Sequence, residues 1–212
     1  MALQNRVTPL GQLIATLERG LVYSNRREST RRHAYRVAIS YDDRVSAESN
    51  LRVRALLPDE RPWLERQLAR LWGSPHVVSR GHLHDASSLP ALVCLDRHDP
   101  VGFATFDVRR QQCELVTLDA FVDGHGIGSA LLDAVAEQAR RQGCGRLWLI
   151  TTNDNLRALR FYQRRGLRLV AVHRGAVDDA RRVKPSIPLV GEHGIPIHDE
   201  LELELDLELA LD

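Results

Sequence analysis

Residues 113–132, CELVTLDAFVDGHGIGSALL, decide the fold of this chain of 212 residues. The stretch predicts a half-buried strand, then a turn that contains Gly124, Gly126 and Gly128, and then the first turns of an amphipathic helix. Glycine lets the backbone approach a ligand closely because it lacks a Cβ atom. The N-terminus of a helix offers unpaired N–H groups and a partial positive charge to an anion. The stretch is therefore a candidate binding site for phosphate groups.

Two common phosphate-binding motifs do not fit this turn. The dinucleotide motif GxGxxG would place its third glycine at Ser129 when counted from Gly124, and at Leu131 when counted from Gly126. A Walker A loop would need a lysine followed by serine or threonine, and the turn has no lysine. Taken alone, the turn is compatible with a phosphate site and with a plain structural turn.

Composition excludes several classes of protein. Hydrophobic residues make up 43% of the chain, which is enough for a core, and the net charge of +1 gives no general attraction to nucleic acid or anionic membranes. Cys94, Cys113 and Cys144 are odd in number and have no paired spacing, which favours a reducing compartment over a disulfide framework or a zinc site. No apolar run is long enough to span a bilayer, and Met1 is not followed by a signal peptide. We expect a cytoplasmic protein with no membrane partner.

The first 50 residues carry little regular pattern. Seven arginines fall between Arg6 and Arg36, against two glutamates. We predict a poorly ordered extension with one short helix near residues 10–21. A basic arm that binds nucleic acid or a partner and an organelle-targeting peptide are the alternatives.

Regular structure is predicted from Leu51 onward. The pattern indicates strands first, then helices and strands in alternation after the glycine turn. The predicted elements are a strand at 51–56, a helix from 58 to 73, strand and loop at 77–85 and 89–96, strands at 101–108 and 111–121, a helix ending at 143, a strand at 147–152, a helix at 155–165, a strand at 167–173, a short helix at 175–182 and a strand at 201–209. In the last strand leucines alternate with acids, which predicts one buried face and one acidic face in solvent.

A second motif follows the glycine turn by about thirty residues. It reads NLRALRFYQRRGL from Asn155 to Leu167, and Asn155, Ala158 and Tyr162 share one face of the predicted helix. Together the two motifs resemble those of the GCN5-related N-acetyltransferases, the GNAT family. The family's acetyl-CoA motif, Gln/Arg-x-x-Gly-x-Gly/Ala, is similar to the run from Asp123 to Gly128. Its second motif, Asn-x-x-Ala-x-x-Phe-Tyr-x-x-x-Gly-Phe, is similar to the run that starts at Asn155.

The resemblance covers residues 51–207 and implies an α/β fold with a mixed central sheet of about six to seven strands flanked by helices. Residues 1–50 are then an N-terminal extension, and residues 51–212 are an acetyltransferase domain. The implied reaction moves the acetyl group of acetyl-CoA to a primary amine of a small molecule or peptide, by direct attack in a ternary complex. A non-catalytic acyl-CoA-binding module is the alternative; nucleic acid is not expected as a partner, and a homodimer is retained as a possible assembly. The residues implied to bind acetyl-CoA are Leu118, Asp119, Ala120, Phe121, Gly124, His125, Gly126, Ile127, Gly128, Ser129, Asn155 and Tyr162.

The resemblance also implies catalytic roles. Glu114 aligns with the family's general base, and Tyr162 with its general acid. Asp119 is the second candidate for the base, although strand alternation places it opposite Glu114 unless a bulge changes the parity. The N–H near Leu118 would bind the thioester oxygen. Asn155 would contact the pantetheine arm or cap its helix.

Three further features are weaker. Asp123 stands where the family has Gln or Arg, and we expect its side chain to point outward, with His125 or nearby arginines supplying positive charge. The pair His82 and His84 lacks further metal ligands and is interpreted as loop residues. His198 and Asp199 are candidates for acceptor contact.

Overall fold

The computed structural model describes residues 51–207. They form four α-helices, two short 3₁₀ turns and nine strands. The strands are β1 (Leu51–Ala55), β2 (His76–Ser79), β3 (His82–Asp85), β4 (Ala91–Asp96), β5 (Asp99–Arg109), β6 (Gln112–Ala120), β7 (Arg146–Thr152), β8 (Arg168–His173) and β9 (Glu200–Asp206). The helices are α1 (Arg61–Trp72), α2 (Ile127–Arg141), α3 (Leu156–Gln163) and α4 (Ala176–Val183), and the 3₁₀ turns are Pro58–Glu60 and Glu192–Gly194.

Seven of the strands form one mixed sheet in the order β1-β4-β5-β6-β7-β9-β8, and β2 pairs with β3 in a separate hairpin. All neighbours in the large sheet are antiparallel except β6 and β7, which are parallel because α2 connects them as a crossover. The predicted fold class is confirmed, including the number of strands. The predictions for residues 1–50 lie outside the described residues.

Each face of the sheet is covered by helices, which gives two separate hydrophobic cores. On one side α2 buries Leu131 and Val135 against the sheet, in the cluster that also holds Leu147 and Leu203. We call this side the α2 face. On the other side α1 and the β2–β3 hairpin pack over Phe103, and we call this side the α1 face. The hydrophobic spacing of both helices matches these contacts.

The prediction for the last strand is wrong in one respect. β9 lies between β7 and β8 rather than at an edge, so elements flank it on both sides. Glu202, expected in solvent, is only 5% exposed and forms ion pairs with Arg146 and with His173, whose Nε2 donates to it at 2.7 Å. The acidic residues of β9 are thus partly internal, because basic side chains of the two neighbouring strands and of Arg80 in the β2–β3 turn lie against Glu202, and the local pattern contains none of these contacts.

The interpretation of His82 and His84 as loop residues is also wrong. Both lie in β3, which pairs with β2 across the tight turn at Arg80 and Gly81. Four residues that alternate histidine with other types carry little strand propensity, so only the pairing with β2 defines this strand. Among residues 51–207, none of the helices has the length and apolar character needed to cross a bilayer.

Candidate functional site

The main feature of the sheet is a cleft between β6 and β7. Their pairing runs only from Gln112 opposite Arg146 to Glu114 opposite Trp148. Beyond that point β6 continues to Ala120 and β7 to Thr152 without pairing to each other. The two parallel strands therefore diverge and leave a wedge-shaped opening that an extended ligand can enter.

The β6 side of the cleft presents free backbone groups. The N–H of Phe121 donates to the carbonyl of Val101 on β5 at 2.9 Å. Because peptide groups alternate in direction along an antiparallel strand, those of Asp119 also face β5. The peptide groups of Leu118 and Ala120 consequently face the cleft. This edge can pair with an extended chain, and the N–H of Leu118 is free to donate to a carbonyl oxygen there.

A β-bulge lies in the middle of β6. Thr117 pairs with Thr105, yet Leu115 pairs with Phe106, so Val116 is an extra residue in the strand. The bulge changes the parity that simple alternation assigns to the carboxylates before and after it.

Glu114 and Asp119 share one face as a result. Glu114 lies opposite Asp107 and Asp119 lies opposite Phe103, and those two β5 residues are four apart on an unbulged strand. Both carboxylates therefore lie on the α1 face. Plain alternation places Glu114 and Asp119 on opposite sides of the strand. That expectation is wrong, because the bulge at Val116 reverses the alternation.

The glycine turn closes one end of the cleft. Gly124 and Gly126 have φ values of +76° and +77°, in the left-handed region that favours glycine. Within residues 51–207, the backbone N–H groups of residues 122–129 donate no hydrogen bond to a backbone or side-chain acceptor. These groups include the first turn of α2, so the turn and the helix N-terminus together form an anion-binding concavity.

Gly128 has a different purpose from the two turn glycines. It lies inside α2, and a Cβ atom built on it would be 3.0 Å from the ring of Phe161. The missing side chain lets α3 pack closely against the start of α2. The side chain of Ser129 accepts a hydrogen bond from Nε of Arg165 at 2.9 Å, which fastens the same two helices.

The side chain of Asp123, in the glycine turn, is exposed. Its side chain is 68% exposed and forms an ion pair with Arg157 of α3. The ring of His125 donates from Nδ1 to the carbonyl of Asp123 at 2.7 Å. Asp123 is thus exposed as expected, and its charge is offset by an arginine that the first motif does not contain.

Helix α3 places Asn155 and Tyr162 beside the cleft. The side-chain oxygen of Asn155 accepts from the N–H of Ala158 at 3.0 Å, which is a standard helix N-cap. Tyr162 is 9% exposed and packs edge-on against Phe161 with 5.0 Å between ring centroids. Burial, and next the nearby negative charge of Asp119, raise the pKa of the Tyr162 hydroxyl above its usual value.

Helix α1 covers Asp119. The indole Nε1 of Trp72 donates to Oδ2 of Asp119 at 3.0 Å. Burial raises the pKa of Asp119 to about 6, although the hydrogen bond from Trp72 and the charge of Arg70 act in the opposite direction.

The raised pKa of Asp119 makes stability depend on pH. Between the ordinary pKa of 3.8 and about 6 the folded state binds more protons than the unfolded state, so the free energy of unfolding falls as pH rises through that window. Asp119→Asn has no carboxylate to titrate, so its free energy of unfolding does not show this decrease. We expect the difference in Tm, variant minus wild type, to increase from acid to neutral pH and then to level off. Thermal melts of both proteins across this range measure it, and a difference that does not change with pH contradicts the assignment.

Glu114 lies deeper on the α1 face, where β6 and β7 begin to diverge, and is 9% exposed. His84 of β3 lies over it, with 3.4 Å between Nε2 and a carboxylate oxygen. A second acid, Glu200 of β9, is 3% exposed, and its pKa is raised mainly by burial, with the charge of Glu114 contributing. This part of the α1 face is therefore acidic.

The sequence patterns missed several residues of this region. Trp72 was recognised only as an apolar helix position, Arg157 as a motif spacer, and Glu200 as part of a loop. Two arginines one turn apart in α3, Arg157 and Arg160, were the only signal for Arg157. Conversely, the structure gives His198 and Asp199 structural contacts: His198 Nδ1 lies 3.0 Å from Asp178, and Asp199 accepts from the N–H of Gly175 at 2.8 Å.

Comparison with known proteins adds a family to this geometry. A model of the acetyltransferase (GNAT) family matches residues 51–167. The uncharacterized protein YxbD of Bacillus subtilis (strain 168) is 41% identical over 138 residues, which are 65% of this chain and 87% of that protein.

Two solved structures share the fold. An acetyltransferase of Bacillus subtilis in complex with CoA matches with a TM-score of 0.53 and 18% identity, over 74% of this chain and 98% of that one. A GNAT family acetyltransferase of Elizabethkingia anophelis with acetyl-CoA bound matches with a TM-score of 0.54 and 16% identity, over 75% of this chain and 99% of that one. At these identities the likeness concerns the fold alone.

Proposed function

This chain belongs to the GNAT acetyltransferase family, and on that premise we propose that it transfers the acetyl group of acetyl-CoA to a primary amine of a small molecule or peptide. The observation that carries the proposal is the cleft between β6 and β7, with the glycine turn at one end. Two structural neighbours have CoA or acetyl-CoA bound, which supports the same co-substrate here. The proposed reaction is a direct attack of the amine in a ternary complex.

The shape and the polar groups of the cleft fit acetyl-CoA. The free N–H groups of residues 122–129 suit the pyrophosphate, since they donate to no group within the described chain. The peptide groups of Leu118 and Ala120 suit the pantetheine arm, which carries amides and can pair like an added strand. Acetyl-CoA itself would supply the activated acetyl thioester.

The side chains around the cleft carry the proton transfers of the proposed reaction. Glu114 accepts the proton of the acceptor ammonium, directly or through water, and the N–H of Leu118 polarises the thioester carbonyl. Tyr162 donates a proton to the departing sulfur. Its raised pKa keeps the hydroxyl protonated at neutral pH, which is the form that a general acid requires. Asp119 is the second candidate for the base, and its pKa of about 6 is suitable for that task.

The acidic surroundings of Glu114 support a cationic acceptor. Glu200 is buried nearby, and opposite charge favours an ammonium over a hydroxyl or an anionic group. This favours transfer to nitrogen.

An amine panel tests the proposal. Acetyl-CoA is mixed with spermidine, tyramine, lysine, an aminoglycoside and an alanine-initiated tripeptide in turn, and free thiol is followed with time. We expect turnover with at least one amine, well above the rate without amine. Mass spectrometry of the product would show one added acetyl group on nitrogen. Tight binding of CoA with no turnover on any amine would instead favour an acyl-CoA-binding module.

Asp123 provides a second test of the same site. Asp123→Gln introduces the residue that the family motif carries, removes a negative charge near the pyrophosphate and releases Arg157 from its ion pair. We expect the Kd for acetyl-CoA to fall by about two- to fivefold at low salt and by less at high salt, because an exposed charge is screened. Isothermal titration calorimetry measures both values. Asp133→Asn, at an exposed acid further along α2, is the control, and a gain as large in that variant would refute the local explanation.

A further inference from the structure

His84 is a buried imidazole whose two ring nitrogens lack partners. It is 3% exposed, and neither Nδ1 nor Nε2 forms a hydrogen bond within the described part of the chain. Buried polar groups are nearly always hydrogen-bonded, because an unpaired one loses its contacts with water without replacement. A buried imidazole in this condition therefore suggests a functional reason for its placement.

The ring lies between two carboxylates. Nε2 is 3.4 Å from an oxygen of Glu114 on β6, and Nδ1 is 3.8 Å from Oδ2 of Asp107 on β5. Both distances are just beyond hydrogen-bond length, so a small rotation of the ring or of one carboxylate closes either contact. Oδ2 of Asp107 forms an ion pair with Nε of Arg109 at 2.8 Å. Within residues 51–207 this oxygen accepts no hydrogen bond of suitable geometry.

Other charged groups complete the surroundings. The ring of His82 meets that of His84 edge-on at 4.5 Å between centroids. Glu200 of β9 acts on Glu114 from the other side, and the N–H of Arg80 donates to Glu200 at 3.0 Å. The carboxylates Asp107, Glu114 and Glu200 thus share this cluster with three basic side chains: Arg109 pairs with Asp107, and Arg80 and His173 act on Glu200.

We propose that His84 is a positioning residue that holds the acceptor proton for Glu114, a role that rests on the proposed function. The acceptor ammonium gives a proton to an oxygen of Glu114, and the electron pair of the N–H bond stays on the nitrogen. The proton then passes from Glu114 to Nε2 of His84, while the N–H at Nδ1 faces Asp107. After the product leaves, the proton returns to solvent, and no group is oxidised or reduced.

The physical reason is a difference in proton affinity. A carboxylate is a weak base for an ammonium group, whereas an imidazole binds a proton more strongly and does so near neutral pH. Transfer to His84 restores the negative charge of Glu114, which is the form that attracts the cationic acceptor. The second carboxylate, Asp107, stabilises the imidazolium that forms.

His84→Gln tests this role, because the amide can contact Glu114 but cannot take a proton. The probe is the fastest amine of the panel, and kcat/KM is measured for wild type and variant from about pH 5.5 to about pH 8.5, the range in which histidine ordinarily titrates. We expect a loss of about tenfold or more at the alkaline end that shrinks as the pH falls, because the wild-type imidazole, once protonated, can accept a proton no better than glutamine can. The Kd for acetyl-CoA should be unchanged.

His98→Gln, at an exposed histidine of the turn between β4 and β5, is the matched control, and its ratio of variant to wild-type kcat/KM should be close to one at every pH. A loss that is equal at all pH values would show that His84 is only structural and would overturn the inference, as would full activity. A wild-type protein that acetylates no amine would overturn the proposed function and this role together. If wild type is active but the ratio of variant to wild-type kcat/KM does not change with pH, this role alone is overturned.

Asp107→Asn keeps the inference testable where the glutamine variant does not fold. Removing this carboxylate lowers the proton affinity of the imidazole, so the acid-side decline of kcat/KM should move to lower pH. An unmoved profile in a folded variant contradicts the relay. Circular dichroism melts of each variant establish that it is folded.

Discussion

Glu114→Gln is expected to lower kcat/KM for the acceptor amine by about 10²-fold or more, with little change in the affinity for acetyl-CoA. Glutamine has the shape of glutamate but cannot accept a proton, so only the acid–base step is removed. The fold should tolerate the change, because Glu114 is buried near Glu200 and loses a repulsive neighbour rather than a hydrogen-bonded partner. Steady-state kinetics and calorimetry with acetyl-CoA separate the two effects.

Two companion variants make this result decisive. Asp119→Asn removes the other candidate base on the same face of β6, and Glu137→Gln changes an exposed acid of α2 that forms an ion pair with Arg141. A large loss in Asp119→Asn and a small one in Glu114→Gln would exchange the two roles. Equal activity of all three variants with wild type would contradict general-base catalysis by either carboxylate.

Tyr162→Phe is expected to lower kcat by about tenfold or more while acetyl-CoA still binds. The ring remains in place against Phe161, so packing at the start of α2 is kept, and only the hydroxyl proton is lost. Because that proton reaches the sulfur only as the reaction proceeds, the effect should fall on kcat rather than on the Kd for acetyl-CoA. Thiol release under saturating substrates measures it.

The control for this variant is Gln163→Leu, an exposed neighbour on the same helix. It should keep wild-type kcat. A Tyr162→Phe enzyme with unchanged kcat would remove the hydroxyl from the mechanism, and the sulfur would then leave unprotonated or take its proton from water.

Local chemistry explains which features were predictable from the sequence. The glycine turn, the N-cap at Asn155 and the amphipathic spacing of α2 each depend on residues a few positions apart, so the pattern contains them. The mixed sheet followed from the order of these elements and from the resemblance they support. The exposure of Asp123 was also expected, since an anion site built from backbone N–H groups does not need this side chain.

The bulge at Val116, the burial of Glu202 and the position of His84 depend instead on how one strand pairs with or packs against another. One extra residue in β6 reverses the side on which every later residue lies, and no feature of residues 113–120 reports it. His84 lies beside Glu114 only because the β2–β3 hairpin folds over β6. Such contacts bring together segments about thirty residues apart, which spacing rules do not reach.

The three paired positions between β6 and β7 also set the mechanics of the molecule. The sheet consists of two halves, which we call panels. One contains β1, β4, β5 and β6, and the other contains β7, β9 and β8. The three paired positions between β6 and β7 are the seam that joins them. A ligand that bonds to both panels lengthens that seam, so ligand capture and stiffening of the sheet become one event. The free energy of binding is then also resistance to unfolding, and it grows with ligand concentration.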